Sequence, residues 1–139
     1  MLVWNPSLEL GVRVLDTHHR RLVDMANEVF AIVKAGAPQA DVLKKLRELA
    51  DFAAWHFGFE ENLMAETAYQ DGTFHGEQHG KLLGQLERFV ERVKAGSAAQ
   101  RQDLRFPRRL GHPAIQLTDR PLAAHLLNRG WDPIRDNQI

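Results

Sequence analysis

The chain has 139 residues, enough for one domain with a hydrophobic core. Lys and Arg together number 18, as do Asp and Glu, so a net charge of zero gives no electrostatic reason to expect a nucleic acid or an anionic membrane as partner. No apolar run is long enough for a transmembrane helix, and the N-terminus does not resemble a signal peptide. Because Cys is absent, any metal must be held by His and carboxylate side chains. We expect a cytoplasmic protein, either a monomer or a weak homo-oligomer.

The N-terminal segment, residues 1–14, predicts an extended arm ahead of the first helix, because it holds Pro6 and Gly11. Trp4 and Leu8 are expected to pack on the helices, and a contact with a partner is the alternative for them.

The first helix is predicted between Asp16 as N-cap and Gly36 as the C-terminal stop. Its apolar positions recur every three or four residues, as expected for a helix with one buried face. The stripe contains one histidine and runs Leu15, His19, Leu22, Ala26, Val29, Val33. His18 lies one position off the stripe, so we expect it at the surface or the boundary.

The second helix is predicted from Pro38 and Asp41 to about Ala65, and the third from near Thr73 to Gly96. The segment between them reads as a turn, so the two helices should be antiparallel neighbours. Both stripes again contain polar residues: Val42, Leu46, Leu49, Ala53, His56, Glu60, Leu63 on one helix, and His75, His79, Leu82, Leu86, Val90, Val93 on the other.

The two polar pairs, His56 with Glu60 and His75 with His79, each have the four-residue spacing that places both side chains on one helix face. A single such pair is usually solvated or satisfied in a core. Here two pairs flank one short connection, and both share the phase of the apolar stripes. Solvation or simple core packing explains such an arrangement less well than it explains a single pair. Buried imidazoles and carboxylates are costly unless they are paired or bind a metal, and this pattern favours a metal site.

The last quarter of the chain has a helical pattern that Pro107 and Pro113 interrupt. After Pro113 the stripe resumes as Ile115, Asp119, Leu122, Leu126, and Gly130 ends it. Two interpretations of Asp119 remain open. It either points inward on the stripe, or it is exposed or caps a helix that begins near Pro121.

The predicted fold is therefore all-α: an antiparallel up-and-down four-helix bundle with an extended N-terminal arm and a fourth helix interrupted by prolines. We expect one domain over residues 1–139, with the bundle at 15–130 and a polar tail at 131–139. Four imidazoles and two carboxylates would point inward, from His19, His56, Glu60, His75, His79 and Asp119. This mixture suits iron, manganese or zinc, and six ligands are too many for one structural zinc. Two carboxylates could bridge a pair of metals in the bundle core.

These motifs resemble those of the hemerythrins, specifically the single-domain bacterial kind. The matching segments are Trp4-Asn5, Gly11-Val12, Leu15-Asp16, His19-Arg20-Arg21-Leu22, His56-Phe57, Glu60-Glu61, Leu63-Met64, Tyr69, His75 with His79, and Thr118-Asp119. The resemblance implies a four-helix bundle with two non-haem irons, joined by an oxygen bridge, that bind dioxygen reversibly.

The resemblance also implies a role for each matching residue. His19 and His56 would hold the iron with an open position, and His75 and His79 would hold the other. Glu60 and Asp119 would bridge the two irons, as the carboxylates do in the family.

The chain departs from the family pattern at Ala114, where the family has a fifth ligating His. His112 is the nearest histidine and is a candidate substitute, although Pro113 makes its geometry uncertain.

The resemblance favours a dioxygen-binding protein for carriage, storage or sensing over an enzyme. The alternatives are a di-iron oxidase or peroxidase-like enzyme, and a bundle with an impaired or zinc-filled site that acts as a binding module.

Overall fold

The computed structural model describes residues 3–96 and 118–131, and within them the chain forms four α-helices and no β-strand. The helices are α1 (Arg13–Lys34), α2 (Gln39–Glu66), α3 (Gly72–Lys94) and α4 (Arg120–Asn128), with a 3₁₀ turn at Pro6–Leu8 in the arm. Short connections make α1 with α2 and α2 with α3 antiparallel neighbours. The predicted all-α bundle with an N-terminal arm is confirmed. The predicted proline interruptions at Pro107 and Pro113, and the tail beyond residue 131, lie outside the described residues.

The boundaries of α2 and α3 and the end of α4 agree with the prediction, and the start of α1 does not. This helix begins at Arg13, so Asp16 lies in its first turn and the predicted N-cap was wrong. The carboxylate of Asp16 instead accepts hydrogen bonds from the backbone N–H groups of Leu10, at 2.8 Å, and Gly11, at 3.2 Å. Asp16 therefore ties the arm to the helix. At the other end, Gly36 follows α1 with a φ of 75°, a conformation that favours glycine.

The buried apolar side chains form two clusters. The larger cluster joins α1, α2 and α3, and the smaller joins the arm, the start of α1, the end of α2, and α4. The predicted stripe residues in the described segments are buried, apart from Leu82, which is half-buried. Leu8 is fully buried and Trp4 packs against both clusters, as predicted. Trp131 packs against the smaller cluster, so its assignment to a polar tail was wrong.

The fourth helix is fixed over the turn that connects α2 and α3. Leu122 and Leu126 of α4 are fully buried in the smaller cluster. His125 donates a hydrogen bond from Nε2 to the carbonyl oxygen of Thr67, at 2.9 Å. These contacts place the residue before α4, Asp119, near the candidate ligands of α2 and α3. No helix in the described segments is long and apolar enough to cross a membrane.

Leu49 belongs to the larger cluster and is fully buried. We expect Leu49→Ala to lower the free energy of unfolding by about 2–5 kcal/mol, because it leaves a cavity as well as losing apolar burial. The matched control is Leu127→Ala, since Leu127 is 52% exposed. Urea unfolding followed by circular dichroism measures both variants, and similar losses in the two would contradict the assignment of Leu49 to the core.

Candidate metal centre

Six predicted ligand side chains converge between the two apolar clusters. α1 supplies one of them, α2 and α3 supply two each, and the residue before α4 supplies the last. All six are buried in the bundle: His19, His56, Glu60, His75, His79 and Asp119. The inward orientation that helical phase predicted for the four histidines and Glu60 is therefore confirmed.

Glu60 lies at the middle of the group and contacts imidazoles from three helices. Its Oε1 lies 2.9 Å from the Nε2 atoms of both His75 and His79. Its Oε2 lies 3.0 Å from Nε2 of His56 and 3.4 Å from Nε2 of His19. One carboxylate thus faces all four histidines.

Asp119 is the second carboxylate of the group, and the inward interpretation of this residue is the correct one. Only 5% of it is exposed, and its side chain makes no capping hydrogen bond to α4. Its Oδ2 lies 3.0 Å from Nε2 of His19, and its Oδ1 lies 3.0 Å from Nε2 of His75. The backbone at Thr118 and Asp119 is π-helical, a local geometry that is frequent at functional sites.

The six side chains divide into two sets that could each hold a metal ion. One set is His19, His56, Glu60 and Asp119, and the other is Glu60, His75, His79 and Asp119. In each set the ligand atoms lie within 4.8 Å of one another. Both carboxylates, Glu60 and Asp119, belong to both sets.

Several of these buried atoms lack a hydrogen bond of proper geometry within the described part of the chain. They include Nε2 of His19, Nε2 of His56 and Oε2 of Glu60. Close approach without hydrogen-bond geometry is expected when ligand atoms aim at a shared point rather than at each other. An unsatisfied buried polar atom costs free energy, and bonds to a metal would offset that cost. The residues therefore fit a metal centre.

The two carboxylates of the group favour positive charge on the groups around them. Burial by itself would lower the pKa of His19, but Asp119 and Glu60 outweigh burial and raise that pKa to about 10. The same carboxylates outweigh burial at His75 and raise its pKa to about 9. Burial would raise the pKa of Glu60, yet the surrounding imidazoles, foremost His56, hold it well below its usual value.

Comparison with known proteins gives the chain its family. Residues 10–126 match the family described as hemerythrin HHE cation binding domain. The chain belongs to the hemerythrin family. The bacteriohemerythrin of Pseudomonas aeruginosa is 33% identical over 95 residues, which cover 68% of this chain and 61% of that relative. The bacteriohemerythrin of Methylococcus capsulatus is 31% identical over 105 residues, covering 74% of this chain and 79% of the relative. A hemerythrin-like protein of Naegleria gruberi is 32% identical over 80 residues, covering 58% of this chain and 61% of its own length.

The match to the Pseudomonas relative thus spans about three-fifths of that protein. Together, the hemerythrin match and the buried cluster support a non-haem iron site in a helical bundle. The candidate fifth ligand, His112, and the family position at Ala114 lie outside the residues that the structure describes.

His18 is a buried neighbour of the group whose position the sequence pattern missed. It was expected at the surface or the boundary, but it is only 8% exposed, and its Nδ1 lies 2.9 Å from Nδ1 of His56. The rings of Phe52, Trp55 and Phe59 surround it. Burial, with the neighbouring imidazoles, lowers the pKa of His18 to about 4. The run of aromatic residues on α2 could have revealed the burial of His18, because these side chains cover the edge of the α1 stripe where His18 lies.

Glu61, which follows Glu60 on α2, also contacts one of the candidate ligands. Its side chain is 51% exposed, yet its Oε2 lies 3.2 Å from Nδ1 of His79. On its face, the same imidazole stacks against Phe57, with ring centroids 4.0 Å apart and planes 11° apart. His79 is therefore fixed from outside the group as well as from within it.

We expect metal binding to release protons. In the metal-free protein the raised pKa values keep His19 and His75 protonated at pH 7, and a metal must displace those protons. Their contribution to the stability of the metal-free protein is complete below pH 6.5 and is lost as the pH rises through about 9–10. Metal affinity should rise over the same range. Anaerobic calorimetry with Fe²⁺ at pH 7, in buffers of different ionisation enthalpy, should show release of about two protons per chain. Heats that are the same in every buffer would contradict this prediction.

Proposed function

We propose that this hemerythrin-family chain binds dioxygen reversibly at a di-iron centre, for oxygen carriage, storage or sensing. The observation that carries the proposal is the pair of buried four-residue sets that share Glu60 and Asp119. In this proposal His19 and His56 hold one iron, and His75 and His79 hold the other. We also propose that residues 1–139 form one domain built around this centre.

The charges of the residues support binding of dioxygen rather than of a neutral ligand alone. When bound, two ferrous ions supply the electrons that reversible dioxygen binding draws on. Glu60 and Asp119 supply two negative charges, which leaves the centre with excess positive charge and favours an anionic form of the ligand. The apolar clusters on both sides limit the access of water, which would slow irreversible oxidation.

The donor set also bears on the enzymatic alternative. Carboxylate-bridged di-iron proteins of the ferritin-like bundles use four glutamates and two histidines. The cluster here holds four imidazoles and two carboxylates. This composition favours a binding protein over an oxidase, and the bacteriohemerythrin relatives from Pseudomonas and Methylococcus are in keeping with that proposal.

Optical spectroscopy tests the proposal. The metal-free protein is loaded anaerobically with Fe²⁺, exposed to air, and then returned to an oxygen-free atmosphere over several cycles. We expect a visible absorption band that appears with dioxygen and disappears when dioxygen is removed, with nearly constant amplitude. A band that never reverses would overturn reversible binding. Steady consumption of dioxygen with an added reductant would instead identify an oxidase.

A further inference from the structure

We propose that His18 and Glu61, which are not ligands, are positioning residues that each hold one ligating imidazole from outside the metal centre. His18 offers His56 a neutral acceptor, and Glu61 offers His79 an anionic one. The metal affinity of each position is thereby set by a different kind of hydrogen-bond acceptor. The inference rests on the proposed di-iron centre, because it concerns the outer nitrogen atoms of two of its ligands.

The contact between His18 and His56 determines which nitrogen of each ring carries a proton. The two Nδ1 atoms lie 2.9 Å apart, so one of them must donate and the other accept. His56 Nε2 faces Glu60 and belongs to the first ligand set. A ligating Nε2 carries no proton, so the His56 proton lies on Nδ1 and is donated to His18. His18 then accepts at Nδ1, carries its own proton at Nε2, and is uncharged.

The surroundings of His18 hold its ring in the orientation this bond requires. Its ring centroid lies 4.8 Å from that of Trp55 and 4.9 Å from that of Phe59. These rings belong to α2, the helix that also carries His56. The helix α2 therefore carries the ligand His56 and also the aromatic rings that position His18, the residue that orients His56.

At the other metal position the outer acceptor is a carboxylate. His79 Nε2 lies 2.9 Å from Glu60, and its Nδ1 lies 3.2 Å from Oε2 of Glu61. By the same reasoning the Nδ1–H of His79 donates to Glu61. A carboxylate acceptor fixes the tautomer and raises the basicity of the ligating nitrogen more than a neutral acceptor does. His79 should therefore be a stronger metal ligand than His56.

Titration of the metal-free protein with Co²⁺, followed by its visible absorption, tests the two positions. Loss of an outer partner typically lowers metal affinity by about 10–100-fold. Glu61→Gln keeps an oxygen acceptor without the charge, and Glu61→Ala removes both. We expect about a tenfold loss in Glu61→Gln and a larger loss in Glu61→Ala, confined mainly to one of the two Co²⁺ ions. His18→Leu should weaken the other ion, and His18→Gln, which restores an acceptor, should recover most of the affinity.

A second measurement separates positioning from a general effect on the fold. In the Co²⁺-loaded protein, each ligating imidazole contributes one exchangeable N–H proton to the paramagnetically shifted NMR spectrum. Glu61→Gln should move or broaden one of these signals, and His18→Leu should move a different one. If both variants alter the same signal, or neither alters any while two Co²⁺ ions remain bound, the inference is overturned and the proposed centre stands.

If the wild-type chain does not bind a pair of Co²⁺ ions, the proposed centre and this inference both fail. If His18→Leu does not fold, as judged by circular dichroism, Glu61→Gln still decides the outcome. Glu61 is half exposed, so this substitution should leave the bundle intact.

Discussion

Glu60→Gln is expected to lose both metal ions rather than one. Glu60 belongs to both ligand sets and contacts all four candidate histidines, so its carboxylate cannot be removed from one position alone. The amide of glutamine has the same shape but no charge, and it cannot offset the charges of two cations in a buried site. Iron per chain after anaerobic loading and desalting should fall from about two to well below one, because each position loses a ligand that it shares.

The neighbouring residue provides the control. Glu61→Gln makes the same chemical change one position along the helix, where the side chain is half exposed and contacts the group through the outer nitrogen of His79. At saturating Fe²⁺ this variant should bind both ions, with the loss of affinity confined mainly to the ion that His79 holds. Retention of one full equivalent of iron in Glu60→Gln would mean that Glu60 serves a single metal position.

Metal removal should lower the melting temperature by more than about 10 °C. A ligand present at a thousand times its dissociation constant stabilises the folded state by about 4 kcal/mol per site. For a domain of this size, each kcal/mol shifts the melting temperature by about 3–4 °C. Part of this binding free energy would come from iron satisfying the buried atoms of His19, His56 and Glu60 that lack hydrogen bonds in the described structure.

Differential scanning calorimetry of the iron-loaded protein, with and without a chelator, measures the shift. The Glu60→Gln chain is the control, since a variant without metal should not respond to the chelator. A wild-type melting temperature that the chelator leaves unchanged would show that the cluster is stable by itself and would remove the energetic argument for a metal.

The residues that sequence reasoning placed correctly share one property: the period of their own helix determines their burial. His19, His56 and Glu60 lie on stripes of apolar residues, and a helix that buries Leu15 and Leu22 must also bury His19 between them. The same rule left Asp119 undecided, because few residues of its stripe follow it and a helix start offered it a second role. Only the contacts of Asp119 with His19 and His75 decide between the two.

The residues that were misplaced depend on contacts between distant segments. His18 is off the stripe of α1 and is buried only because the aromatic side chains of α2 cover it. Asp16 has the composition of an N-cap, but its carboxylate binds the arm that precedes the helix. Glu61 has the exposure that helical phase predicts, and its contact with His79 depends on how closely α3 packs. Periodicity along one helix carries no information about such neighbours.

The candidate ligands come from the first three helices and from the residue before α4, and this has a consequence for how the protein is made. Asp119 is the only candidate ligand outside the first three helices of the described chain, and it faces His19, near the beginning of α1. During synthesis the first three helices leave the ribosome before Asp119 does, so a nascent chain lacks one of the two shared carboxylates. Stable iron capture must then wait until the last helix has docked, and a chain truncated before Asp119 would be a poor iron binder even with all four histidines present.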